Sequence, residues 1–67
     1  MNKKDRELYG LKLRVFMKKE GVSSRECAYE VGCTERSILR WLKGETYPML
    51  VFREKLSEMF PKLGNAK

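Results

Sequence analysis

Sixty-seven residues predict a single domain, 1–67, with a core so small that a ligand, metal or partner subunit is a common aid to its stability. An apolar share of 42% permits a globular fold and a charged share of 36% favours a soluble one; no run of about 18 apolar residues predicts a membrane span, and no signal-like apolar stretch follows Met1, so a cytoplasmic protein is expected. The net charge of +6 favours a polyanionic partner, nucleic acid or an anionic surface.

Residues 1–4 (Met-Asn-Lys-Lys) read as a frayed or flexible basic arm. A first helix is expected from about Asp5 to Lys19. Asp5 and Glu7 near its start and Lys18 and Lys19 near its end suit the helix dipole, and Gly21 ends it. Tyr9, Leu13, Phe16 and Met17 form one apolar stripe; Leu8, Leu11 and Val15 form a second, offset one. Gly10 costs about 1 kcal/mol relative to Ala inside a helix, so the first turns should be either loose or closely packed.

Ser23-x-x-Glu26 fits a capping box and opens a second helix, with Cys27, Ala28 and Val31 on its apolar face and Gly32 at its stop. Thr34 is a good N-cap for a third helix. There Ile38 and Trp41 point one way and Glu35, Arg36 and Arg40 another, and Gly44 closes the helix. After the loop Glu45-Thr46-Tyr47, Pro48 suits the first turn of a last helix that runs to about Phe60 and ends at Pro61. Its apolar positions are Leu50, Phe52, Leu56, Met59 and Phe60, and residues 61–67 read as a tail. No convincing strand, repeat or linker is present.

The spaced set Ala28, Gly32, Ile38, Trp41, Gly44 and Pro48 resembles the helix-turn-helix of the Cro/repressor-type (XRE-type) DNA-binding family. The similarity runs from about Leu13 to about Phe60. Ala28 matches a small residue that lets two helices approach, Gly32 the turn glycine, Ile38 the aliphatic plug, and Trp41, Gly44 and Pro48 a W-x-x-G-x-x-x-P run. The resemblance implies an all-α, compact four-helix domain of phage-repressor type, with the helix-turn-helix formed by the second and third helices and a core of about 5–60. Many members hold a buried Arg–Glu ion pair where this chain has Met17 and Leu42. Replacing both partners by packed apolar residues is often neutral, whereas losing one strands a charge. Many members also carry a further C-terminal segment, where this chain has only Gly64-Asn65-Ala66-Lys67. The second stripe of the first helix and the aromatic residues of the last would then lack cover, and a homodimer is one way to supply it.

By the same resemblance the third helix enters the major groove, with Glu35, Arg36, Arg40 and Leu39 at the base edges. Arginine offers guanine O6 and N7 two parallel hydrogen bonds. Glu35 either accepts from cytosine N4 or merely favours the helix N-terminus; Leu39 either touches a thymine methyl or is plainly exposed. Ser24, Arg25, Ser37, Lys43, Thr46 and Tyr47 are the expected phosphate contacts, with Ser37 read alternatively as a packing residue.

Two cysteines, Cys27 and Cys33, and no histidine fall short of the four ligands a zinc site needs. Parity allows a disulfide, but two free thiols fit a reducing compartment. With no histidine, no glycine-rich phosphate loop and no Ser–His or Cys–His pair, no enzyme, cofactor or small-molecule ligand is expected. The expected function is sequence-specific binding of double-stranded DNA, as a transcriptional repressor or activator of a bacterium, phage or mobile element. A DNA-binding subunit, such as an antitoxin or recombination accessory factor, and a helical protein-interaction module are the alternatives.

Overall fold

The computed structural model describes residues 2–63, and every regular element among them is helical. Four α-helices follow in order: α1 Lys3–Glu20, α2 Ser24–Val31, α3 Glu35–Lys43 and α4 Leu50–Met59; a 3-10 turn covers Pro61–Leu63. They pack into a body of 27 × 23 × 21 Å.

Local chemistry explains most of the boundaries. Ser23 and Glu26 form the reciprocal capping box: the Ser23 hydroxyl accepts the Glu26 amide at 3.1 Å, and the Glu26 carboxylate accepts the Ser23 amide at 3.0 Å. The Thr34 hydroxyl accepts the Ser37 amide at 3.1 Å and opens α3. Gly32 and Gly44 follow α2 and α3 with φ of 88° and 78°, a left-handed conformation in which a Cβ would be strained.

Four expectations are corrected. The basic arm is not frayed at Lys3 and Lys4, which already belong to α1. Asn2 caps the helix, its side-chain oxygen accepting the Asp5 amide at 2.9 Å; Met1 lies outside the described residues. Pro48 does not start α4. The cap is Met49, one residue later, while Pro48 is fully buried and its carbonyl accepts from Arg53 Nε at 3.1 Å. Leu50 is not a core position: at 100° per residue it falls about 120° around the helix from buried Leu56, and it is 59% exposed. Finally, the tail begins later than Pro61. The Leu63 amide reaches the Phe60 carbonyl at 2.8 Å and seats the Leu63 side chain in the core; residues 64–67 lie outside the described part.

The core joins Leu13 and Met17 of α1, Cys27, Ala28 and Val31 of α2, Ile38 and Trp41 of α3, and Leu56, Phe60 and Leu63. Leu42 packs against this cluster half-buried. The aromatic residues expected on the last helix are covered after all, because Phe52 of α4 lies against Trp41 at 5.6 Å and Phe60, just past the end of α4, stacks on Phe16 at 6.2 Å. Leu8, Leu11 and Val15, by contrast, are all more than half exposed, as the second stripe predicts.

Gly10 resolves in favour of close packing. A Cβ there would fall inside contact distance of the Trp41 carbonyl oxygen and lie 2.9 Å from that of Leu42. Bare backbone is what lets α1 lie against the end of α3. The Arg6 side chain secures the same junction by donating from Nε to the Gly44 carbonyl at 3.2 Å.

Candidate functional site

Burial of Ile38 and Trp41 fixes the rotation of α3, and its opposite face follows from the 3.6-residue period. Glu35, Arg36, Leu39, Arg40 and Lys43 are all exposed, and with Glu45 they line one open concavity of about 880 Å³. Arg36 and Arg40, one turn apart, are neighbours on this face. Four expected base-reading residues and one expected phosphate residue are therefore gathered on a single surface. Leu39 is 42% exposed among the cations.

The remaining expected phosphate residues sit elsewhere. Ser24 is half-buried in the first turn of α2 and Arg25 beside it is exposed. Their amides precede the first intrahelical bond, from the Cys27 amide to the Ser23 carbonyl, and so belong to the turn where a helix leaves donors without backbone acceptors. The Ser37 hydroxyl accepts from the Thr34 hydroxyl at 3.1 Å, which places it in the α3 cap. Thr46 and Tyr47 are half-buried on the loop after Gly44. The Tyr47 ring meets Tyr9 edge to face at 5.2 Å, and the Arg53 guanidinium stands 4.9 Å from its centre. Tyr47 is thus a packing residue as well as a candidate contact. Burial raises the Tyr9 hydroxyl above its usual range, Tyr47 adds to the rise, and Arg53 partly offsets it.

Sequence reasoning missed Glu45, whose Oε1 lies 3.4 Å from Arg40 Nε. The signal was present but indirect: a glycine at the helix end folds the chain back, so residues five apart meet across it. Arg6 and Arg53 were also missed, because their carbonyl partners, Gly44 and Pro48, carry no recognisable side-chain signal.

Cys27 and Cys33 are free thiols. Burial raises Cys27 to about 11, with the neighbouring Cys33 adding to the effect, and burial raises Cys33 as well. Unfolded, a thiol gives up its proton near its usual value of 9.0. Above that value the unfolded chain therefore binds fewer protons than the folded one, and stability falls as pH rises. The thermal midpoint should drop between pH 9 and pH 11, and Cys27→Ala should flatten that decline by on the order of 1 kcal/mol. Melting curves of both proteins across this range provide the check; identical slopes would remove Cys27 as the cause.

Among the described residues no group of three or more His, Cys, Asp or Glu side chains could hold a metal ion, and no helix is long and apolar enough to cross a membrane. Comparison with protein-family models, curated proteins and solved structures finds no match to the chain.

Proposed function

We propose that this protein binds double-stranded DNA sequence-specifically through α3, as a helix-turn-helix regulator of transcription resembling the XRE type, with α2 and α3 as its two motif helices. One observation carries the reading: Arg36, Arg40 and Lys43 share an exposed concave face with Leu39, on a short helix whose other side is anchored in the core. A helix so held offers its outward side chains to a major groove. The positive balance of the whole chain favours the same polyanion. In this reading Arg36 and Arg40 read bases, and Ser24, Arg25 and Lys43 hold phosphates. The protein acts as a homodimer on two half-sites, for which the exposed Leu8, Leu11 and Val15 offer an apolar surface.

Selection from a random duplex pool, followed by binding measurements across a salt series, tests the proposal. With about six phosphates neutralised, log K should fall against log salt with a slope near −5. Lys43→Ala should weaken all sites alike and make the slope shallower by about one. A flat salt response, or a pool that yields no preferred site, would turn the reading towards a protein-interaction module.

Arg40→Ala should cost about 1–3 kcal/mol on the selected site and little on a site changed at the base pair that Arg40 contacts. Lysine in its place keeps the charge but loses the two-pronged donor geometry, so Arg40→Lys should resemble the alanine variant in selectivity more than in affinity. Equal loss over a panel of single-base-pair changes would assign Arg40 to phosphate.

A further inference from the structure

We infer that Glu45 is a positioning residue for Arg40: it holds the guanidinium by Nε and leaves the two terminal amino groups for a base edge. The inference rests on the DNA-binding reading above and concerns how that surface discriminates between base pairs.

Two independent features bring the residues together. The first is main-chain. The Gly44 amide bonds the Trp41 carbonyl at 3.0 Å and the Glu45 amide bonds the Arg40 carbonyl at 3.0 Å, the paired bonds of a Schellman motif. In this motif the residue after the glycine and the residue five positions earlier become neighbours, usually through an apolar contact. Here that side-chain contact is ionic, with Oε1 and Nε 3.4 Å apart.

The second feature is the rigidity of the turn that carries Glu45. Gly44 is buried, with its Cα side packed against Glu7 so tightly that a Cβ would lie 2.8 Å from Glu7 Cγ. Its carbonyl accepts from Arg6. Glu45 thus projects from a turn tied to α1 rather than from a free loop, so the main chain that carries its half-exposed carboxylate is already in place beside Arg40.

The edge of the guanidinium that is engaged gives the contact its functional meaning. Arginine bonds guanine through two parallel N–H groups. With Nε turned to the Glu45 carboxylate in an ion pair between two half-exposed side chains, the terminal Nη1 and Nη2 groups make the remaining two-pronged edge. A carboxylate among DNA-facing cations also repels phosphate, so its presence weakens general affinity. Restricting Arg40 to one presentation offsets that loss with sharper discrimination.

The probe is the duplex selected from the random pool, together with its single-base-pair variants. Glu45→Ala should tighten binding to unrelated duplex about two-fold and reduce discrimination at the Arg40-dependent base pair about five-fold, within the range of one base contact. Glu45→Gln, which keeps an oxygen acceptor for Nε, should retain most of the discrimination while showing the same gain on unrelated duplex. In an Arg40→Ala background Glu45→Ala should leave discrimination unchanged. Uniform tightening on every site, with discrimination intact, would overturn the positioning role and leave DNA binding standing. Absence of any duplex binding by the wild-type protein would overturn both.

Discussion

Met17→Arg should remove about half or more of the protein's folding free energy at room temperature. Met17 is 5% exposed within the core cluster, and the residues around it are apolar. An unpaired charge at such a position costs about 3–5 kcal/mol, while a domain of this length has roughly 3–10 kcal/mol of stability at 0.05–0.15 kcal/mol per residue. Leu42→Glu should cost less, because Leu42 is half-buried at the rim of the same cluster and its carboxylate can turn towards water. Combining the two should recover much of the loss, with the guanidinium and the carboxylate satisfying each other. Urea titrations of the four proteins give the coupling energy directly; losses that add without coupling would mean that the two positions do not meet.

The second large effect is expected from the smallest possible change, Gly10→Ala. At an ordinary helix interior this substitution stabilises by about 1 kcal/mol. Here the added methyl group would be driven against the carbonyl oxygens of Trp41 and Leu42, which are backbone atoms and cannot change rotamer. The helices must separate, and overpacking of this kind costs about 1–3 kcal/mol, occasionally more. Set against the gain in helix propensity, this leaves a net destabilisation of up to about 2 kcal/mol by thermal or urea unfolding. Val15→Ala, on the exposed stripe of the same helix, should stay within about 0.5 kcal/mol. A gain in stability for Gly10→Ala would show that α1 can move away from α3 at no cost.

The contrast between the two glycine readings shows what was legible in the sequence. Gly32 and Gly44 announce helix ends through their spacing from Thr34 and the apolar period, because the information is local. Gly10 announces only an anomaly, since its partner backbone lies about thirty residues away. The same distinction separates Ser23–Glu26 and Thr34, whose caps are readable within four residues, from Leu63, whose burial depends on the surface α1 and α4 make together. Asn2 could have been read: Asn at N-cap with Asp three residues on is a helix start, but the neighbouring lysines suggested a flexible arm. Pro48 misled for a physical reason. Its fixed φ suits the first helical turn, yet it equally suits the extended approach, and burial of its ring placed it there. The outward face of α3 was legible because Ile38 and Trp41 determine it by exclusion. Glu45 was not, because its approach to Arg40 follows from the turn geometry after the glycine rather than from helical spacing.

The single tryptophan gives the molecule its own optical reporter. Trp41 is buried on the inner side of α3 with its ring tilted against Phe52, while the adjacent Arg40 points outward. Its emission therefore reports the dryness of the α3–α4 contact. A duplex lying on the opposite side of α3 has no ring to quench. A shift in emission colour on adding a ligand would signify rearrangement inside the protein, and constant emission during binding would signify that the surface engages its partner as a preformed shape.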